Sequence, residues 1–120
     1  MQSNELMQVV AAAMADMKAV DVTTLDVAGY TSITDYMLIA SGTSDRHVKS
    51  IADKVIEAAK VEDHSPLGVE GQDYGEWVLV DLGDVIVHIM QPKVRDFYKL
   101  ENLWTIDDKS QHATDAETAG

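Results

Sequence analysis

Two carboxylates, Asp81 and Asp84, bracket Gly83 within the stretch GEWVLVDLGDVIVHIM, residues 75–90. Paired carboxylates at a tight turn can offer oxygen ligands to a divalent cation. Asp and Gly are equally the residues that a two-residue hairpin turn demands, and the turn is the preferred reading. A second candidate is Ser41-Gly42-Thr43-Ser44, where an apolar run ends and a helix opens. Amides at a helix N-terminus can receive an anion. This loop has a single glycine and lacks both the Gly-Lys-Ser/Thr ending of a P-loop and the three-glycine dinucleotide fingerprint, so a capped turn is preferred. The histidines are His47, His64, His88 and His112. No two have helical metal-ligand spacing, and no serine stands in a nucleophile-elbow sequence. His88 lies mid-strand and reads as a satisfied, partly buried polar group. The chain has no cysteine, which excludes a disulfide scaffold, a cysteine zinc site and a thiol nucleophile. These residues assemble no active site. The expectation is a protein that is not an enzyme, with no cofactor and no metal.

The same stretch carries a second kind of chemistry, that of a surface. With Gly83-Asp84 as the turn, Leu82 faces Val85, Val80 faces Val87 and Val78 faces Ile89. Side chains alternate along a strand, so these share one face and form the expected core. The opposite face pairs Asp81 with Ile86, Leu79 with His88, and Trp77 with Met90. That mixture of aromatic, aliphatic and polar groups suits a protein interface anchored by a tryptophan. The competing reading is that a helix of the same chain covers it. The hairpin-tip residues Leu82 and Val85 are further candidates for reaching a partner.

The elements that must position this hairpin follow from periodicity. Leu6, Val10, Ala13 and Met17 predict a helix over about Asn4 to Ala19. A strand over Asp21–Val27, a turn over Ala28–Ser32 and a largely apolar strand over Tyr36–Ser41 come next. Thr43 or Ser44 then caps a helix with the stripe Val48, Ile51, Ala52, Val55, Ile56 and Ala59, ending near Lys60 or Val61. Residues 66–71, punctuated by Pro66 and glycines, suggest a short edge strand. After the hairpin, Pro92 starts a closing helix through Val94, Phe97 and Tyr98, with an apolar end at Leu100, Leu103 and Trp104. Residues 105–120 read as an acidic, disordered tail. The expected architecture is α/β (α+β), a single mixed sheet flanked by helices.

Composition narrows the function classes. The 120 residues suggest one domain, and a hydrophobic content of 46 % suits a packed core. No apolar run approaches the roughly 20 residues that span a bilayer, and no signal or transit peptide is visible. A cytoplasmic protein without a membrane role is expected. The net charge of -12, with nine Lys and Arg against 21 Asp and Glu, repels phosphate backbones. Nucleic acid is therefore not expected as the main direct contact, whereas a basic protein partner fits.

Three stretches together are specific. SITDYMLIASGTSDRHVKSIADKV (residues 32–55), PLGVEGQDYGEWVLVDLGDVIVHIM (66–90) and FYKLENLW (97–104) resemble the ribosomal silencing factor, or Iojap, family. With the preceding helix the likeness covers about residues 4–104, and the domain is bounded at 1–104. The resemblance implies a nucleotidyltransferase-like fold without transferase chemistry. It implies a translational repressor that binds the large ribosomal subunit at its fourteenth protein (ribosomal protein L-fourteen). Occupying that protein would block joining of the small subunit when nutrients are scarce. The family's hairpin motif falls on Trp77, Asp81, Leu82, Gly83, Asp84, Val85 and His88. Trp77 and Leu82 are expected to supply apolar anchoring, and Glu70, Asp81 and Asp84 to meet basic residues of the partner. Tyr98 and Trp104 on the closing helix are further candidates. The alternatives are a large-subunit assembly factor that uses the same contact, or a nucleotide-binding enzyme or sensor built on Ser41–Ser44. A homodimer through the apolar face is possible when the protein is free.

Overall fold

A computed structural model describes residues 1–102. The element order is α1 (Ser3–Asp16), β1 (Val20–Asp26), β2 (Tyr36–Ser41), α2 (Asp45–Val61), β3 (Gly68–Glu70), β4 (Trp77–Asp81), β5 (Val85–Met90) and α3 (Pro92–Tyr98). The five strands form one mixed sheet in the order β1-β2-β5-β4-β3. Only β2 and β5 run parallel; the other neighbours are antiparallel. The expected α/β architecture with one mixed sheet is what the chain adopts.

The hairpin has the register that its sequence implies: Trp77 opposite Met90, Leu79 opposite His88, Asp81 opposite Ile86. Gly83 supplies the turn's left-handed residue at φ 86°, a region that costs a residue with a Cβ. The Leu82 amide donates to the Val85 carbonyl across the turn at 2.9 Å. The turn is also tied to β2, because the Asp84 carbonyl accepts the amides of Asp35 and Tyr36.

α1 and α2 pack on one face of this sheet. Leu6, Val10 and Met14 meet Val48, Ile51 and Val55, above Leu38, Val78, Val80, Val87 and Ile89. Burying each such side chain stabilises the fold by roughly 1.5–3 kcal/mol. α2 presents the stripe its spacing predicts, and the Ser44 hydroxyl caps it by accepting the His47 amide.

Two helix ends differ from expectation. α1 stops at Asp16, not Ala19, because Lys18 turns left-handed at φ 58° and the Ala19 amide returns to the Met14 carbonyl. α3 stops at Tyr98 because Lys99 is left-handed at φ 49° and its amide caps onto the Arg95 carbonyl. Leu103, Trp104 and the acidic tail of residues 105–120 lie outside the described residues. No helix among the described residues is long and apolar enough to cross a membrane.

Candidate functional site

The strand registers line up three rows across the second sheet face. Leu25, Met37, Ile86 and Asp81 form one row. Thr23, Ile39, His88, Leu79 and Glu70 form the next. Ser41, Met90 and Trp77 form the third. The centre, at Ile39, His88 and Met90, is buried, and α3 lies over the third row. Leu25, Met37, Leu79 and Ile86 remain half-exposed. Both sequence readings of this face therefore hold in part: a helix covers one end, and an apolar strip continues beyond it. Carboxylates rim that strip, with exposed Glu70 beside Leu79 and half-buried Asp81 beside Ile86.

Trp77 is held at the boundary between the covered and open parts. Its indole N–H donates to His88 Nδ1 at 2.9 Å, and the two rings lie 5.8 Å apart. Burial pushes the His88 imidazole down from 6.5 to about 4. A charged imidazole would lose water without gaining a counter-charge, so the ring stays neutral and can accept the indole proton. On its other side Trp77 meets Tyr98, with ring centroids 4.9 Å apart, and Phe97 stands edge-on to Tyr98 at 5.0 Å. Tyr98 is 53 % exposed and Phe97 is 78 % exposed. Trp77, Tyr98 and Phe97 thus make a stepped aromatic surface next to the apolar strip. The Phe97 contribution was legible only as an apolar position of the closing helix.

The fold buries two of the expected partner-facing residues. Leu82 is 2 % exposed and Val85 fully buried, and both side chains belong to the core under α1 and α2. The hairpin is anchored to β2, so its tip is part of the sheet and not a free projection. Leu67, 77 % exposed, is the apolar side chain at the tip: its amide donates to the Asp81 carbonyl and its Cδ1 lies beside Gly83. His88 is 7 % exposed, and its Nδ1 accepts the Trp77 indole N–H. Asp84 is exposed at the turn, whereas Asp81 spends one oxygen on the Gly83 amide at 2.9 Å.

The loop at Ser41–Ser44 has little left to offer a phosphate. The Gly42 amide donates to the Met90 carbonyl, the Thr43 amide to His47 Nδ1, the Arg46 amide to Asp45 and the His47 amide to Ser44 Oγ. His47 Nε2 is in turn engaged by the Met17 carbonyl at 2.8 Å. Asp45 also puts a negative charge where an anion would sit. The hydrogen bonds make this loop a joint between α1 and α2, and they count against the nucleotide reading.

The sequence match over nearly the whole chain decides the family. Residues 1–119 match the family described as "Ribosomal silencing factor during starvation". The chain belongs to the ribosomal silencing factor family. It is 40 % identical over 105 residues to the ribosomal silencing factor of Zymomonas mobilis, covering 88 % of this chain and 79 % of that protein. A crystal structure of a Chromobacterium violaceum protein has a TM-score of 0.85 at 38 % identity, covering 100 % of this chain and 95 % of that one. A mouse relative, "Mitochondrial assembly of ribosomal large subunit protein 1", is 35 % identical over 89 residues, which are 72 % of this chain and 39 % of that protein. The fold is thus shared with the Chromobacterium violaceum structure, and the open aromatic and acidic face of this chain is the candidate site.

Proposed function

We propose that the protein represses translation by binding the large ribosomal subunit through ribosomal protein L-fourteen, and that its bulk then blocks the small subunit from joining. Membership of the silencing-factor family carries this reading. The second sheet face supports it physically: an aromatic step at Trp77 and Tyr98, an apolar strip at Leu79 and Ile86, and carboxylates at Glu70, Asp81 and Asp84 suit a basic protein surface. Aromatic anchors inside a polar rim are the usual carriers of binding energy. The mechanism is steric and requires no bond to be made or broken by this chain, so the protein is proposed not to be an enzyme and to act in the cytoplasm, with its folded domain bounded at residue 104.

The test is sedimentation with separated large subunits, followed by addition of small subunits. Comigration and a loss of joined ribosomes are expected, and Trp77→Ala abolishes both while leaving the folded spectrum intact. No comigration at low salt would overturn the reading. The mouse relative's name, which refers to assembly of the large subunit, favours one second reading, a factor that holds immature large subunits through the same face. Comigration with unchanged subunit joining would select it.

A further inference from the structure

α3 is too short and too exposed to be held by apolar packing alone. It has seven residues, and of these Arg95 alone is buried. Its guanidinium instead reaches into the sheet. Nη1 donates to the Asp21 carbonyl at 2.7 Å and to Ser41 Oγ at 3.1 Å, and Nη2 donates to Thr23 Oγ1 at 3.0 Å. Nε donates to Glu101 at 3.2 Å, just past the end of the helix. One side chain therefore joins α3, the last residue of β2, the irregular start of β1 and the segment that follows Lys99. The acceptors are arranged for it: Asp21 is left-handed at φ 52°, within the register shift between Val20 and Thr23. Tyr98 lies one helical turn beyond Arg95, against Trp77.

We propose that Arg95 is a positioning residue that clamps α3 to the sheet and so sets Tyr98 over Trp77, building the docking surface without touching the partner. The partner's identity rests on the function proposed above; the clamp does not. A lysine keeps the charge but cannot form the planar fork that serves several acceptors at once. The core under α1 and α2 contains no part of this network, so the sheet survives loss of the clamp.

The experiment measures binding and thermal unfolding in the full-length protein with Trp104 retained, and emission alone in a Trp104→Phe background, where Trp77 is the sole tryptophan. Trp77 emission, thermal unfolding and large-subunit binding are measured for Arg95→Lys, Tyr98→Ala and the double variant. The expected result is a red-shifted Trp77 emission in Arg95→Lys and binding weakened about tenfold, a loss on the scale of one charge-assisted contact. Tyr98→Ala shows the same, and the double variant adds nothing further, because both changes act through one contact. Unmoved emission, or additive losses in the double variant, would overturn the proposal. Should Arg95→Lys fail to fold, Thr23→Val, which removes a single acceptor, must shift the emission in the same direction. If the unaltered protein does not bind large subunits, the proposed function fails, while emission and its non-additivity still decide the clamp.

Discussion

His88 shows how a residue can serve a surface from beneath it. Its ring is buried and neutral, and its Nδ1 accepts the Trp77 indole proton. A base whose folded value falls from 6.5 to about 4 binds protons more readily unfolded than folded. The stability it contributes is complete above pH 6.5 and is lost as pH falls from there towards 4. The full shift corresponds to about 3 kcal/mol. His88→Gln keeps an acceptor and does not titrate, so the stability of the unaltered protein relative to the variant should fall progressively from pH 6.5 to 4. Urea unfolding at stepped pH measures it; parallel curves would contradict a buried neutral imidazole. Trp77 belongs to the same scale. It is half-buried and anchors a face outside the main core, so Trp77→Ala is expected to cost about 2 kcal/mol or more of binding, the range of an interfacial hot spot. Calorimetric titration against the large subunit reads that loss, and an unchanged affinity would move the interface elsewhere.

Among the elements, α2 and the loop that starts it show how local chemistry and long-range packing divide the work. Ser44 caps the helix, and replacing it with alanine is expected to lower stability by about 1 kcal/mol. Gly42 is a different case. A Cβ there would lie 2.7 Å from Val48 Cγ2 and 2.9 Å from the Val48 amide, so the strand end and helix start would have to part. Gly42→Ala is expected to cost roughly 1–3 kcal/mol, the usual range for overpacking. Chemical denaturation of both variants checks the order; an alanine at position 42 that is silent would mean the joint is looser than its contacts indicate. A cap at Thr43 or Ser44 was readable from the residue types and the apolar stripe behind them, and the fold selects Ser44. The crowding at Gly42 was not, because it depends on where Val48 comes to rest.

For the molecule as a whole, charge decides how it finds a partner. A net charge of -12 gives a field that draws a basic surface and repels bare phosphate. Association with the large subunit is therefore expected to slow as salt rises, since the Debye length shrinks from about 10 Å at 0.1 M to about 3 Å at 1 M. Dissociation, governed by the desolvated aromatic contacts, should change less. Stopped-flow association at several salt concentrations separates the two. Glu70→Lys, on the exposed edge strand, should slow association with little effect on stability. An association rate indifferent to both salt and Glu70 would exclude electrostatic docking through this edge.

The sequence by itself determined the local elements and their kind. Alternation and the Gly83-Asp84 turn settled the hairpin and its register, three- and four-residue spacing settled the α2 stripe, and Pro92 settled where α3 begins. The ordered motifs of residues 32–104 also pointed to the family that the comparison confirms. These signals are short-ranged, because backbone geometry repeats every two or 3.6 residues and imprints itself on neighbouring positions. The core face was already expected from alternation, whereas what covers the opposite face was decided by tertiary structure alone. Leu82 and Val85 carry no mark that distinguishes a tip facing solvent from one tied to β2. Arg95 reads as one more exposed charge on a short helix until the fold brings it to Asp21, Thr23 and Ser41, which are 74, 72 and 54 residues away. Contacts at such separations leave no period in the chain. They exist only after the sheet has formed and brought its distant strands side by side.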